Sequence, residues 1–356
     1  MKKTLKYIFL SPFSLLYGIV TWFRNWLYDK KLLSSTEFSL PLICVGNLAV
    51  GGTGKTPHSE FILSHLQDDW NVALLSRGYK RETKGFVLAD DACDSKSIGD
   101  EPYQIYRKFP KVKVAVDESR VHGVTELQRL FPDLQCVVLD DAFQHRKIKA
   151  GLSILLTDYS NLYADDHVMP LGRLREWRSG SRRADVIVVT KCPTNELDFV
   201  GIESRLNLQK DQELYFSSFE YDEIIPIFDE VETEKYTIER IQKKQSHLLL
   251  VTGIVSPKSI VDYLKNYTTN IESLSFPDHH SFGIKDFERI KSDFERIKSL
   301  EKLIITTEKD ASRLIGDKSF PDELKPYVYA LPIRVKIMQE KEVVFIEKLR
   351  NYVGKN

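Results

Sequence analysis

The chain has 356 residues, more than one hydrophobic core usually holds, and we therefore expect two domains. Lys plus Arg and Asp plus Glu each number 51, so the formal net charge at pH 7 is zero. This balance excludes the strongly basic character of a dedicated nucleic-acid-binding protein. The four cysteines stand far apart, which indicates neither a zinc site nor a disulfide scaffold, and we expect small buried side chains in a reducing compartment.

The first thirty residues form the most apolar part of the chain. An uncharged run from Tyr7 to Phe23 is flanked on both sides by lysine and arginine residues. Bulky aromatic residues after this run disfavour a cleaved signal peptide, and its length and Pro12 disfavour a membrane-spanning helix. Ser11 can cap a helix whose first residue is Pro12, and we expect this helix to continue to about Tyr28.

One narrow stripe of this helix carries small and polar residues, while most other positions are apolar. The stripe residues recur at spacings of four and three residues and are Ser14, Gly18, Thr21, Asn25 and Tyr28. A broad apolar face flanked by cations is typical of a helix that lies in a membrane interface, close to anionic headgroups. A helix that packs on its own protein and a helix that spans the membrane remain open as alternatives.

Short apolar segments alternate with helical patterns from Leu40 to Lys191, which is typical of βαβ units in a parallel sheet. Six candidate strands read LPLICVGN, NVALLSRG, VKVAVD, QCVVLDDA, LSILLTD and DVIVVTK. Their polar residues fall at or just after the carboxyl ends, where open α/β sheets bind ligands. We therefore predict an α/β fold with a mostly parallel, doubly wound sheet.

A second α/β pattern follows an acidic, extended segment. The sequences HLLLVTGIVSPKSIVDYL, KLIITTEKDASRLI and YVYALPIRVKI predict a smaller α/β domain. Between the first two lies the tandem repeat DFERIKSDFERIKS, which places Phe287, Ile290, Phe294 and Ile297 on one helix face. We expect this helix to cover the second sheet.

The segment VGNLAVGGTGKTPH, residues 45–58, contains most of a phosphate-binding loop. Such loops use glycines to let backbone N–H groups converge on phosphate oxygens at a helix N-terminus, while a Lys and a hydroxyl group neutralise charge and hold Mg²⁺. Ala49 stands where the consensus has its first glycine, a departure that affects only the entrance of the loop. The predicted nucleotide-binding residues are Gly51, Gly52, Thr53, Gly54, Lys55 and Thr56.

A Mg²⁺–nucleotide site also needs a carboxylate at the end of a neighbouring strand. CVVLDDAFQH provides Asp140 and Asp141, and we expect at most one of them to face the metal because adjacent strand residues point to opposite sides. Pro193 stands where a guanine-reading N/T-K-x-D motif has its aspartate, which argues against a GTPase. Val50 stands where partition-type ATPases carry a lysine, which argues against that class.

These patterns together predict an α/β fold with a phosphate-binding loop, which the family resemblance described below makes P-loop kinase-like, and a division into five segments. They are an amphipathic membrane-interface helix at 1–30, a nucleotide-binding kinase domain at 31–215, an extended linker at 216–240, a smaller α/β domain at 241–335 and a C-terminal helix at 336–356.

Phosphoryl transfer to a hydroxyl depends on positioning and charge stabilisation, often with a carboxylate that accepts the hydroxyl proton. SIGDEP places Asp100 and Glu101 in a loop bounded by Gly and Pro, and FPDHHSF carries Asp278, His279 and His280 in the smaller domain. The second cluster could bind a metal ion, or one of its histidines could orient a base across the cleft between the domains. On the residues alone, an acidic turn and a helix cap remain open alternatives for the two clusters.

Seven motifs in this order resemble the tetraacyldisaccharide 4'-kinase family: VGNLAVGGTGKTP, LSRGY, GDEP, DDAFQH, PLGRLRE, FPDHH and TTEKDASRL. The resemblance extends from the N-terminal helix to about Leu314. It implies ATP-dependent phosphorylation of the 4'-hydroxyl of an acylated glucosamine disaccharide 1-phosphate in lipid A biosynthesis. It also implies ATP and Mg²⁺ as cofactors, a lipid substrate at the cytoplasmic face of the inner membrane of a Gram-negative bacterium, and no nucleic-acid or obligate protein partner.

The same resemblance implies roles for individual residues. Lys55 and Thr56 would contact the nucleotide phosphates and Mg²⁺, Asp100 would be the base with His279 as its partner, and Glu101 would be an acidic neighbour of the metal. Metal and phosphate positioning would fall to Asp140, Asp141, Gln144 and His145. Contacts to the lipid phosphate or the transition-state charge would come from Arg77, Arg120, Arg173 and Arg175. Trp177 departs from the family pattern, for which we expect Pro.

A function of another class remains as the alternative, namely a membrane-tethered P-loop ATPase switch that recruits protein partners. Transfer of phosphate to lipid would distinguish the kinase from such a switch.

Overall fold

The computed structural model describes residues 2–228, 236–254, 256–278 and 280–355, so His279 lies outside the described residues. The chain forms two compact units. The first contains Met1–Ala92, Ile105–Phe219 and Val335–Asn356, and the second contains Cys93–Gln104 and Glu220–Arg334. The segment Cys93–Gln104, which we placed in the kinase domain, is thus grouped with the second unit.

The described residues form fourteen strands. In chain order they are β1 (Leu42–Asn47), β2 (Val72–Ser76), β3 (Val87–Leu88), β4 (Lys113–Val116), β5 (Cys136–Asp140), β6 (Leu152–Asp158), β7 (Val186–Thr190), β8 (Glu213–Tyr221), β9 (Ile225–Pro226), β10 (His247–Thr252), β11 (Ile271–Ser275), β12 (Lys302–Thr307), β13 (Val328–Leu331) and β14 (Ile333–Ile337).

Nine strands form the first sheet, in the order β14-β8-β7-β6-β1-β5-β2-β4-β3. Neighbouring strands from β8 to β4 pair in parallel, whereas β3 is antiparallel to β4. All six strands predicted from the sequence lie in this sheet, which confirms the mostly parallel α/β fold. Because β1 lies between β5 and β6, its carboxyl end is at the point where the strand order reverses, the usual ligand-binding position in such sheets.

Two strands at one edge of this sheet, β14 and β8, were not predicted to belong to it. The predicted extended linker at 216–240 contains most of β8, where Ser217 and Ser218 are buried in the structure. The segment YVYALPIRVKI was assigned to the smaller domain as part of its α/β pattern, but its second half, β14, joins β8 in the first sheet. The second sheet has the order β11-β10-β12-β13-β9 and is parallel except for β9.

Eleven α-helices accompany these strands in the described residues. They are α1 (Lys2–Asp29), α2 (Lys55–Leu66), α3 (Ser95–Ile98), α4 (Asp100–Lys108), α5 (Arg120–Leu130), α6 (Phe199–Leu206), α7 (Ile238–Lys244), α8 (Lys258–Leu264), α9 (Ile284–Arg296), α10 (Glu308–Ile315) and α11 (Glu342–Gly354).

Both faces of the first sheet are buried, as expected for strands that read as continuous apolar runs. In β1, Ile43 and Val45 pack in a cluster with α2 and α11, while Leu42 and Cys44 pack in the cluster on the other face. In the second unit, the repeat residues of α9 are buried in the core as predicted. Cys44, Cys136 and Cys192 are also buried as predicted, whereas Cys93 is partly exposed.

Helix α1 begins at Lys2, so the predicted start at Pro12 is wrong. The Ser11 hydroxyl donates to the carbonyl of Tyr7 within the helix and does not cap its end. A proline inside a helix removes one backbone hydrogen bond and crowds the carbonyl four residues earlier, but α1 continues through Pro12.

The small and polar stripe of α1 faces the first unit. Ser14 donates to the carbonyl of Val168 at 2.5 Å, and Asn25 donates to Glu176 at 2.6 Å. Trp177 donates from Nε1 to the carbonyl of Gly18 at 2.7 Å, and its ring leaves no room for a side chain at Gly18, where a Cβ would lie 2.7 Å from a ring carbon. Trp177, the departure from the family pattern, therefore contacts α1 directly through a hydrogen bond and through close packing at Gly18.

The opposite face of α1 is apolar and exposed. Its exposed large side chains are Tyr7, Phe9, Phe13, Leu15, Leu16, Ile19, Val20, Trp22, Phe23 and Trp26. In the part of the chain that the structure describes, no helix is long and apolar enough to cross a membrane.

Candidate active site

The phosphate loop connects β1 to α2. Gly51 and Gly54 have φ angles of 111° and 84°, in the left-handed range that favours glycine. Helix α2 begins at Lys55 directly after Gly54, so its N-terminal N–H groups and the positive end of its dipole face the loop. Strand, loop and helix therefore follow one another as a phosphate-binding loop requires.

Ala49 replaces the first consensus glycine without strain. It is 8% exposed, packs in the core and is not among the residues with positive φ. The next residue, Val50, donates its N–H to the carbonyl of Arg173 at 2.8 Å, which fixes the entrance of the loop. A side chain at position 49 thus adds packing where a glycine is not needed.

Two residues at the end of β7 hold the loop from the side. Thr190 Oγ1 donates to the carbonyl of Thr53 at 2.8 Å, and Lys191 Nζ donates to the carbonyl of Gly52. Lys191 is itself paired with Asp158 at 2.9 Å. The sequence identifies this T-K pair only as an incomplete GTPase motif, although its position at the carboxyl end of a strand is the signal for a contact with the loop.

His58 connects α2 to β8 and is buried. Its Nδ1 donates to the carbonyl of Gly54 at 2.7 Å, and its Nε2 accepts from the Ser217 hydroxyl at 2.9 Å, which suits a neutral ring. Burial lowers the pKa of His58 to about 4, although the bond to Gly54 opposes this shift. A neutral His58 therefore fixes the last residue of the loop.

This pKa predicts how stability depends on pH. A His side chain in the unfolded state titrates near pH 6.5. As the pH falls from about 6.5 to 4, position 58 therefore binds a proton in the unfolded state but not in the folded state. The contribution of neutral His58 to the free energy of unfolding is fully present above the unfolded pKa. It declines below that pKa, by about 2 kcal/mol at pH 5. In His58→Gln, we expect the free energy of unfolding in urea to fall less between pH 7.5 and pH 5 than in wild type. His167→Gln, at an exposed position, is the control, and an unchanged pH dependence of His58→Gln would contradict the prediction.

Asp140 and Asp141 both face the start of α2. Asp140 accepts from the Ser59 hydroxyl at 3.1 Å, and Asp141 Oδ1 lies 3.8 Å from Lys55 Nζ. Lys55 and Ser59 are one turn apart on α2. The expected alternation does not apply because β5 ends at Asp140 and Asp141 has a φ of 45°.

Cations keep Asp141 ionised. Burial raises the pKa of Asp141, but the charges of Lys55 and Arg175 outweigh this effect, so the pKa lies below its usual value. Arg175 Nη1 donates to Asp141 Oδ1 at 2.9 Å. At neutral pH the strand tip thus presents an anionic oxygen next to the phosphate loop.

Gln144 organises the residues around this carboxylate. Its Nε2 donates to the carbonyl of Asn47 at 2.9 Å and to Glu176 at 3.1 Å, while its Oε1 accepts from Arg175 at 3.3 Å. The resemblance implied a role at the metal, but here its amide oxygen is turned to Arg175. Since Asn25 also donates to Glu176, α1 is connected to this network.

Arg120 supports the strand tip from inside the core. Its guanidinium donates to the carbonyls of Asp117 at 2.7 Å and Asp140 at 3.1 Å, and the residue is 1% exposed. The substrate contact implied by the resemblance does not fit a side chain buried in this way. The side chain of Arg173 pairs with Asp166 at 2.9 Å.

His145 lies among several arginines. Burial and, to a smaller extent, the charges of Arg120, Arg77 and Arg24 together lower its pKa to about 4. Arg77 is exposed, and Arg24 of α1 donates to the carbonyl of Gln144 at 2.9 Å. A neutral imidazole surrounded by cations is suited to an anionic group, and Arg24 is a member of this cluster that sequence reasoning missed.

Asp100 and Glu101 belong to the second unit and are the first two residues of α4, so the predicted loop is wrong. Gly99, which lies between α3 and α4, has a φ of 95°, in the left-handed range that favours glycine. Asp100 Oδ2 accepts from Arg313 Nε at 2.9 Å and from Nη2 at 2.6 Å. Lys309 Nζ lies 3.6 Å from both Glu101 and Asp278.

Two described residues of the FPDHH segment, Asp278 and His280, have different partners. Asp278 is paired with Lys309, whereas His280 Nε2 is 3.0 Å from Asp286 at the start of α9. His280 is thus a contact of a helix start, which was the alternative left open by the sequence. The implied partner of Asp100, His279, lies outside the described residues.

Oxygen ligands at the phosphate loop fit Mg²⁺. Within the residues that the structure describes, no group of three or more His, Cys, Asp or Glu side chains could hold a metal ion by itself. Mg²⁺ commonly takes one or two carboxylates together with substrate phosphates and water. Thr56, Asp140 and Asp141 supply hydroxyl and carboxylate oxygens of this class.

Comparison with known proteins gives consistent results. Residues 6–352 match the family model described as tetraacyldisaccharide-1-P 4'-kinase. The chain is 49% identical over 354 residues to the tetraacyldisaccharide 4'-kinase of Bacteroides thetaiotaomicron, covering 98% of this chain and 93% of the relative. It is 45% identical over 349 residues to that of Flavobacterium johnsoniae, with 98% and 97% covered. Among solved structures, LpxK from Aquifex aeolicus, crystallised in complex with ATP, matches with a TM-score of 0.72, 29% identity and 99% of both chains covered.

Proposed function

Since the chain belongs to the tetraacyldisaccharide-1-P 4'-kinase family, we propose that its phosphate loop binds ATP with Mg²⁺ and that Asp100 accepts the proton of the attacking 4'-hydroxyl. The enzyme is a phosphotransferase of lipid A biosynthesis, as the resemblance implied. The observation that carries the site assignment is the approach of Lys55 to Asp141 at the end of β5.

The nucleotide phosphates would bind at the start of α2. The N–H groups of the loop and of the first turn of α2 would donate to phosphate oxygens, and the Lys55 ammonium would neutralise their charge. Lys55 Nζ lies 3.8 Å from Asp141 Oδ1, so the ammonium is close to the carboxylate at the end of β5. Thr190 and Lys191 would keep the loop peptides in orientation as ATP binds.

Mg²⁺ would be held by Thr56, Asp140 and Asp141 with phosphate oxygens. The ion would supply charge neutralisation on the transferring group. Arg175 would position Asp141, and Arg120 would hold the backbone of Asp140.

The acceptor reacts at its 4'-hydroxyl. The O4' proton would pass to the Asp100 carboxylate, the bond from O4' to the γ-phosphorus would form, and the bond from that phosphorus to the bridging oxygen would break to release ADP. Arg24, Arg77 and neutral His145 would provide a binding region for the anionic disaccharide phosphate. The acidic residues of α4 belong to the second unit and the phosphate loop to the first.

The exposed face of α1 would bind the membrane surface. Burial of one exposed Leu side chain contributes about 1.5 to 3 kcal/mol, and ten large apolar side chains are exposed on the described part of this helix. The polar stripe is engaged with the protein, which leaves the apolar face for lipid. This arrangement would keep the sugar of a bilayer-anchored substrate near the phosphate loop.

Leu16→Glu tests this surface. The substitution places a charge on a side chain that is 62% exposed, so it should disturb lipid contact more than folding. We expect recovery with phosphatidylethanolamine/phosphatidylglycerol vesicles in a flotation assay to fall roughly tenfold or more. Leu300→Glu, the same change at an exposed position of the second unit, is the matched control. If Leu16→Glu and Leu300→Glu were recovered with vesicles to the same extent, the exposed face of α1 would not bind the membrane, and the helix would have a purely structural role.

The function itself is tested by following the phosphate. Incubation with γ-labelled ATP and the acylated disaccharide 1-phosphate should transfer label to the extractable lipid. Release of label only as inorganic phosphate, stimulated by a protein partner, would instead support the ATPase switch.

A further inference from the structure

The TTEKDASRL motif contains a chain of polar contacts that ends at Asp100. Asp310 is fully buried at the start of α10, where it accepts from the N–H of Gly253 at 2.9 Å and from the Thr307 hydroxyl at 2.8 Å. Burial raises the pKa of Asp310 above its usual value, although these bonds and Arg313 oppose the shift. Asp310 is therefore fixed to β10 and to the end of β12.

Arg313 connects this fixed group to the proposed base. Its Nη1 donates to Asp310 at 2.8 Å, while its Nε and Nη2 both donate to Asp100 Oδ2. The side chain of Arg313 is 6% exposed. Because a guanidinium is planar and rigid, fixing one of its edges on Asp310 also fixes the direction of the other edge.

Stabilisation alone does not account for this cluster, in which the charges of Asp310 and Arg313 are buried and the Asp100 side chain is 19% exposed. The desolvation cost of a buried ion pair often exceeds its attraction, and apolar residues of similar volume are commonly as stable. Glycine at position 253 adds to the constraint, because a Cβ there would lie 3.0 Å from Asp310 and 3.4 Å from Arg313. The carboxylate of Asp310 and the guanidinium of Arg313 therefore leave little room for a side chain at position 253.

We propose that Arg313 is a positioning residue for phosphoryl transfer, which holds the Asp100 carboxylate in the orientation that the attacking hydroxyl requires, with Asp310 holding Arg313. This inference rests on the proposed role of Asp100 as the base. Arg313 acts through Asp100 and contacts neither ATP nor the acceptor in this scheme. Its loss should therefore lower kcat and leave the KM for ATP unchanged.

Arg313→Met tests the proposal, because methionine keeps the apolar stem and removes the guanidinium. We expect kcat to fall about 10- to 100-fold, the usual effect of losing a group that orients a catalytic residue, with the KM for ATP within twofold of wild type. Arg313→Lys, which keeps the charge, should recover part of the loss. Arg240→Ala, which removes another partly buried Arg paired with a carboxylate in the same unit, is the control for stability.

A double-mutant cycle separates positioning from structural support. If Arg313 acts through Asp100, adding Arg313→Met to Asp100→Asn should cause no further loss of turnover. Thermal unfolding checks the fold of each variant. If Arg313→Met does not fold, Asp310→Asn/Arg313→Met removes the unpaired buried charge and serves in its place.

Two results have different meanings. The proposal would be overturned if folded Arg313→Met, or folded Asp310→Asn/Arg313→Met, turned over within twofold of wild type while Asp100→Asn was inactive. That result would leave the proposed base intact. Near-normal turnover of Asp100→Asn would remove the base itself, and the inference with it.

Discussion

Asp100→Asn should lower kcat by roughly 10²- to 10⁴-fold, the usual contribution of a general base. Asparagine keeps the size of the side chain and an oxygen that can accept from Arg313, but it cannot take the proton of the 4'-hydroxyl. The dissociation constant for ATP should stay close to wild type, since the phosphate loop belongs to the first unit and Asp100 to the second. Transfer of γ-label to lipid and equilibrium binding of ATP measure the two quantities separately.

The matched control for this variant is Asp317→Asn. Asp317 is a carboxylate of the same unit that accepts from the N–H and hydroxyl of Ser319 after the end of α10. Its loss should leave kcat within about twofold of wild type, because surface substitutions away from special features usually have small effects. If Asp100→Asn behaves like Asp317→Asn, another group must accept the proton.

Local sequence patterns were sufficient for the strand, loop and helix from β1 to α2 and for the acidic tip of β5. In both places the chemistry depends on residues close together in the chain and on the buried apolar run that precedes them. The same holds for α9, whose apolar spacing identified its buried face. The expected family and kinase activity are confirmed.

Contacts between distant parts of the chain could not be predicted in this way. Arg313 and Asp100 are separated by 213 positions, and nothing in the spacing of either motif indicates that they meet. The contact of Trp177 with Gly18 spans 159 positions and explains a residue that had seemed a departure from the pattern. In each case the sequence identified the motif, but only the fold of the unit identified its partner.

Lys55→Ala should reduce both ATP affinity and turnover, in contrast to Asp100→Asn. Lys55 is 16% exposed at its side chain and lies 3.8 Å from Asp141, where its ammonium would meet the phosphates of ATP. Removing one donor that stabilises developing charge typically costs roughly 10²- to 10³-fold in kcat, and the lost attraction to the ground-state phosphates weakens binding as well. Isothermal titration with ATP and the lipid transfer assay should therefore both show the defect.

Lys149→Ala provides the comparison, because Lys149 is an exposed lysine of the same unit that pairs with Glu37 before the amino end of β6. Its removal changes the net charge equally but acts at the amino ends of the parallel strands, whereas the phosphate loop follows the carboxyl end of β1. A Lys55→Ala protein that binds ATP as tightly as Lys149→Ala would show that the ammonium does not hold the nucleotide in the ground state. The assignment of the loop as the ATP site would then depend on its backbone N–H groups alone, and substitution of Gly54, whose φ of 84° an L-residue adopts only with strain, would be the remaining way to disrupt it.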